Sequence, residues 1–168
     1  LHRIIEDVLN KEVAMLKNRL TTKNTALLVI DVQEKLIRLV DRSADVLHNI
    51  QKVIKGFQIL KVPVVVTEQY PQGLGETVPA LKNYLDEHQK FLPKTAFSCL
   101  GDPMIKNEIL SMPVENWVLI GIETHVCVLQ SAKDLIGIGK KVVILNDATT
   151  SRSIFDYSTA IAELRDAC

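Results

Sequence analysis

Ala26-Leu27-Leu28-Val29-Ile30, closed by Asp31, is the stretch on which the fold turns. Five consecutive apolar residues without alternation suit a strand covered on both faces, as in a parallel sheet. The pattern recurs at Val62–Val66 (VPVVV), Trp117–Ile122 (WVLIGI) and Val142–Leu145 (VVIL), with a weaker copy at His88–Pro93 (HQKFLP). Pro63 stands near the start of its run, where a strand tolerates proline. Between the runs, residues of about 43–60, 102–111, 124–138 and 154–167 carry helical spacing. Alternating strands and helices predict an α/β domain, a three-layer αβα sandwich with a mostly parallel, Rossmann-like sheet.

Ligands of such sheets bind beyond the carboxyl ends of the strands, where strand order reverses. The residues there are Asp31, Glu68–Tyr70, Lys94, Glu123–Cys127 and Asp147–Arg152. Upstream, Ile5, Val8, Leu9, Val13, Leu16 and Leu20 fall on one helical face. Residues 1–24 are therefore expected to be an amphipathic helix and connector that either packs on its own domain or binds a partner. Residues 25–168 form the main domain. The chain starts with Leu1, so further residues are expected before it.

The 168 residues and 47% hydrophobic content suffice for one domain with its own core. Twenty basic and twenty acidic side chains cancel. That balance argues against nucleic acid or an anionic membrane as main partner, and it is compatible with self-association. No apolar run is long enough to span a bilayer. Glu6, Asp7 and Glu12 interrupt the N-terminal apolar residues, unlike a secretory signal. Cys99, Cys127 and Cys168 form no zinc-like spacing and read as reduced thiols in a cytoplasmic setting.

Cys127 lies four residues after Glu123, in the first turn of the helix that follows a strand. With Thr124 as N-cap, backbone N–H groups and the helix dipole are expected to favour its thiolate and to hold an oxyanion. Asp31 suits a proton acceptor for that thiol, and Lys94 a cation that steadies both charges. Each residue also has an ordinary reading: a buried small hydrophobe, a helix cap and a surface lysine. His125 and Cys127 point in different directions at that spacing and make a poor metal pair. Gln72–Glu76 lacks the pattern of a phosphate loop and reads as flexible. Cys99 and Cys168 read as bystanders.

These motifs resemble the isochorismatase-like hydrolases, the cysteine hydrolase superfamily. The resemblance rests on Asp31-Val32-Gln33, on Pro93-Lys94-Thr95-Ala96-Phe97-Ser98, and on Gly121-Ile122-Glu123-Thr124-His125-Val126-Cys127-Val128. Thr67–Gly75 and Asp147–Ser153 look like the isochorismatase domain-containing branch. The resemblance covers about residues 25–168. It implies sheet order 3-2-1-4-5, with a sixth strand that is either missing or not part of this sheet. It implies an Asp31–Lys94–Cys127 triad that cleaves an amide-like C–N bond through a thioester, and a cis peptide before Glu123. The Glu123 and Cys127 amides would form the oxyanion hole, and Gln33, Tyr70 and Phe97 would lie near the substrate. Metal-binding nicotinamidases carry an Asp and histidines where this chain has Glu68-Gln69-Tyr70, so no catalytic metal or other cofactor is expected. The partners implied are a small-molecule substrate and further copies of the chain. Glu123 adds an acid beside the oxyanion site, which would disfavour a thiolate. Two other readings stay open: a binding or scaffold protein without turnover, and a thiol redox sensor in which Cys99 resolves an oxidised Cys127.

Overall fold

The computed structural model describes residues 19–167. The helix expected over residues 1–20 lies outside them except for Arg19 and Leu20, and so does Cys168.

Five parallel strands form one sheet: β1 (Thr25–Ile30), β2 (Val64–Gln69), β3 (Phe91–Lys94), β4 (Asn116–Ile122) and β5 (Lys141–Thr150). Their order is β3-β2-β1-β4-β5, with β1 central. Among the described residues, four helices of nine residues or more flank it: α1 (Ser43–Ile59), α2 (Pro103–Ser111), α3 (Leu129–Gly137) and α4 (Ile154–Ala167).

All six residues of β1 are buried, and alternate ones serve different cores. Ala26, Leu28 and Ile30 join Ile105 and Ile109 of α2, Leu135 of α3 and Leu164 of α4. Leu27 and Val29 join Val46, Ile50 and Ile54, which repeat every fourth residue on one face of α1. This two-sided burial explains why the run never alternates with polar residues. The Asp102 carboxylate caps α2 by accepting from the Met104 and Ile105 N–H groups.

The register brings the strand ends together. Ile30 lies opposite Thr67 of β2 and Gly121 of β4, and Gln69 lies opposite Lys94. Gly121 has φ +120°, and a Cβ there would sit 2.1 Å from the Ile30 carbonyl oxygen. The close approach of β4 to β1 thus requires glycine.

β5 is longer than its apolar run predicts. After an irregularity opposite Leu119–Gly121 it continues through Thr149 and Thr150. These polar residues are buried at no cost in unmet hydrogen bonds: Thr149 Oγ1 donates to the Gly121 carbonyl (2.8 Å) and Thr150 Oγ1 to that of Asp41 (2.9 Å). Val142–Leu145 are only half-buried because β5 is the sheet edge.

Candidate functional site

Asp31 terminates β1 with φ 53°, a left-handed conformation that Asp tolerates better than most residues. This turn leaves its carboxylate fully buried. Lys94 Nζ donates to Asp31 Oδ2 at 2.6 Å, and both side chains are fully buried. Thr67 Oγ1 donates to the other oxygen, Oδ1, at 2.7 Å.

Lys94 Nζ has three further acceptors: Gln69 Oε1 at 2.6 Å and the carbonyls of Phe97 at 3.1 Å and Ala96 at 3.3 Å. Four acceptors for three protons leave this ammonium no free donor. Burial pulls Lys94 toward the neutral amine, but Asp31 and the neighbouring Cys99 and Cys127 sulfurs outweigh it and hold its pKa above the ordinary lysine value. Lys94 is a fixed cation in this site.

Cys127 lies in a single wide turn, Thr124–Val128, that precedes α3. Its thiol is buried and interacts with both Asp31 and Lys94. The surroundings of the sulfur work against the expected thiolate. Burial raises the thiol most, the Asp31 charge adds to it, and Lys94 only partly offsets them, so the thiol pKa lies well above its ordinary value. The Asp31 carboxylate and the depth of the sulfur outweigh the pull of the helix start. Thr124 is not the expected N-cap either. Its Oγ1 is shared with Thr149 Oγ1 (2.8 Å), and Glu123 occupies the capping position without a side-chain bond to the turn.

The Ile122–Glu123 peptide is cis. The Glu123 carboxylate is not aimed at the sulfur. It accepts from Arg152 Nη2 (2.7 Å), Arg152 Nε (3.1 and 3.2 Å) and the Arg152 backbone N–H (3.0 Å). Burial pushes Glu123 up, but these bonds, the Arg152 charge and His125 outweigh it and hold the carboxyl below the usual range. The conflict expected between Glu123 and a neighbouring anion is therefore met by a salt bridge. His125 Nδ1 turns to Ser151 Oγ at 2.9 Å.

Gln33 proves to be a clamp. Its Nε2 donates to the carbonyls of Gln69 (2.9 Å) and Gly75 (2.6 Å), and its Oε1 accepts from the Gln69 N–H (2.7 Å). With Lys35 Nζ on the Gly73 carbonyl (2.8 Å), it ties down the loop expected to be flexible, whose Pro71–Leu74 form one helical turn. Tyr70 and Phe97 are about half exposed beside Lys94. Tyr70 lines an open cleft of about 230 Å³ with Pro71, Pro93, Lys94 and Asp102.

Cys99, expected to be a bystander, touches Thr67. It is fully buried, its Sγ lies 3.9 Å from Thr67 Oγ1, and burial, reinforced by Asp31, raises its pKa to about 11. Sequence reasoning placed Gln69 and Arg152 at strand ends, Thr67 in a motif and Cys99 as a possible resolving thiol, but it gave none of them the contacts they make here. A threonine ending the apolar run VVVT was the available signal for Thr67. A buried acid at the end of β4, facing one cation at the end of β5, was the signal for Arg152.

Glu68 and Gln69 close β2. Glu68 Oε1 accepts from the Thr77 N–H (2.6 Å) and hydroxyl (2.8 Å), while Gln69 holds Lys94. These groups are committed to internal bonds and do not fit a metal site. Among the described residues no cluster of three His, Cys, Asp or Glu side chains is placed to hold a cation. No helix among them is long and apolar enough to cross a membrane.

Residues 25–168 match the family model described as the Isochorismatase domain. Isochorismatase domain-containing protein 1 of Danio rerio is 42% identical over 135 residues, covering 80% of this chain and 47% of that protein. The chain thus spans about half the length of that relative. A solved structure titled MAR1 ribonuclease from Caenorhabditis elegans is 39% identical, with a TM-score of 0.83 over 89% of this chain and 76% of that one. An Escherichia coli structure, titled an octameric hydrolase of unknown specificity, shares the fold at 20% identity, with a TM-score of 0.84 over 89% of this chain and 75% of that one.

Proposed function

The chain belongs to the isochorismatase family, and on that footing we propose that it is a metal-independent cysteine hydrolase acting on a small amide or related C–N bond. The observation that carries this reading is the fully buried Asp31–Lys94 ion pair beside the Cys127 thiol, at the carboxyl edge of the central strands. A buried charge pair is costly to maintain and is a weak source of stability, so its presence next to a nucleophile favours a chemical role.

In the resting site the one mobile proton sits on sulfur. As Cys127 Sγ bonds to the substrate carbonyl carbon, that proton passes to Asp31. The backbone N–H groups of Glu123 and Cys127 receive the developing oxyanion. Asp31 then gives the proton to the leaving nitrogen, the C–N bond breaks, and a thioester remains. Water attacks the thioester and loses a proton to Asp31. The C–S bond breaks, the acid leaves, and the proton returns to sulfur. Lys94 stays charged throughout and keeps the Asp31 carboxylate oriented. Tyr70 and Phe97 supply apolar surface at the mouth, and Gln33 holds the loop that carries Tyr70. The protein works as a homo-oligomer in a reducing, cytoplasmic setting; the octameric assembly of the E. coli neighbour supports the first point.

A panel of small amides tests this, with ammonia or amine release as one readout and an acyl adduct on Cys127, mapped by mass spectrometry, as the other. Turnover is expected to fall at least about a hundredfold in Cys127→Ser and in Asp31→Asn. Unchanged turnover in both variants overturns the reading. RNA belongs in the panel because the nematode relative is named a ribonuclease, and RNA cleavage that survives Cys127→Ser would count against a thioester route. The burial of the Cys127 thiol is the observation that favours a binding protein over an enzyme. That second reading predicts ligand-dependent stabilisation without any adduct.

A further inference from the structure

Thr67 has no part in the chemistry described so far, yet it shares the Asp31 carboxylate with Lys94 and the Cys127 thiol. It is fully buried and donates its hydroxyl proton to Asp31 Oδ1 at 2.7 Å. Its own oxygen accepts the Cys99 S–H at 3.9 Å. The Cys99 backbone N–H is in turn fixed by Ser131 Oγ at 2.9 Å, which anchors the thiol that orients the threonine. The hydrogen bonds therefore run in one direction, from Cys99 through Thr67 to Asp31.

Lys94 and Thr67 occupy different oxygens of Asp31 and differ in kind. Lys94 can only donate. The Thr67 hydroxyl both donates and accepts, so it can reverse its bond when Asp31 takes up a proton. The ionisable groups facing Asp31 are Lys94, Cys99 and Cys127.

We propose that Thr67, oriented by Cys99, is a positioning residue that sets how readily the Asp31–Cys127 pair binds a second proton. The inference rests on the cysteine hydrolase reading. Its physical basis is that a donor to a carboxylate favours the ionised form, so losing that donor makes the pair hold its second proton to higher pH.

The test follows alkylation of Cys127 by iodoacetamide against pH, mapped by mass spectrometry in the whole chain, and needs no substrate. The wild type should lose reactivity as the pH falls, when the pair becomes doubly protonated. Thr67→Val should raise the midpoint of this acid limb by about one to two pH units, the size expected for one hydrogen bond to a charged group. Thr67→Ser keeps the donor and should leave the midpoint at its wild-type position. Cys99→Ala should move it in the same direction as Thr67→Val, by less. A merely structural role would lower the amplitude of all three profiles without moving the midpoint, and that result overturns the inference. If Thr67→Val fails to fold, Cys99→Ala and Thr67→Ser decide, and equal midpoints in both overturn it. A wild-type profile lacking an acid limb is a different outcome. It shows that Asp31 does not govern the thiol, and the hydrolase reading falls with the inference.

Discussion

Replacing Lys94 with methionine keeps a flexible, similarly long side chain and removes the charge together with its N–H donors. Asp31 would then be a fully buried carboxylate left with the neutral Thr67 hydroxyl and Cys127 thiol, its bond to Lys94 at 2.6 Å gone. Breaking one side of a buried pair typically costs about 3–5 kcal/mol, because the surviving charge stays desolvated. The Gln69 side chain and the Phe97 carbonyl would lose their donor as well, so the loss should lie within that range and not below it. For a domain of this size that corresponds to a fall in Tm of roughly 10 °C. Adding Asp31→Asn removes the stranded charge, and the double variant should recover about 2 kcal/mol or more of the deficit. Urea unfolding followed by far-UV circular dichroism measures all four corners of the cycle. A Lys94→Met loss below about 1 kcal/mol, or strict additivity in the double variant, would show that the pair is not the buried, mutually dependent unit described above.

The raised Lys94 pKa makes stability from this pair full below about pH 10.4, the unfolded value, and lost as pH rises through the folded one; alkaline unfolding should show that loss in the wild type and not in Lys94→Met. The Cys127 thiol should show its main alkylation rise above the roughly 8.5 of a free thiol, and Asp31→Asn should lower that point by removing a repelling charge. Arg152→Ala should cost about 1–2 kcal/mol in chemical denaturation, since it strips Glu123 of its side-chain partners. The folded-state pKa of Glu123 is depressed, so stability from its pair with Arg152 is present above the ordinary carboxylate range and fades as pH falls through the folded value. Gly121→Ala should destabilise by at least about 2 kcal/mol, measured the same way, because its Cβ meets the Ile30 carbonyl.

Uninterrupted apolar runs make the parallel sheet legible in the sequence, because burial on both faces leaves no room for polar alternation. The same logic hides the end of β5, where Thr149 and Thr150 are buried through satisfied hydroxyls and not through apolar side chains. Asp31, Lys94 and Glu123–Cys127 are findable because strand ends can be counted along the chain. Their electrostatics are not findable in that way. Whether Cys127 is a thiol or a thiolate depends on its depth and its distance to Asp31, and both are set by register between strands far apart in sequence. Gln33 shows the same limit: its motif marks it as part of the site, while only the loop's path shows that it holds backbone carbonyls at Gln69 and Gly75.

The alternating burial of β1 also ties any activity to correct folding. Ala26, Leu28 and Ile30 feed one core, Leu27 and Val29 the other, and Asp31 follows immediately. A slip of one residue would exchange the two faces and, in the same step, carry Asp31 away from Lys94. A misregistered chain therefore cannot keep a working carboxylate beside the thiol. Single-residue insertions or deletions within Thr25–Ile30 should behave as all-or-none lesions, whereas equal changes in the exposed polar turn at Thr21–Lys23 leave that register intact.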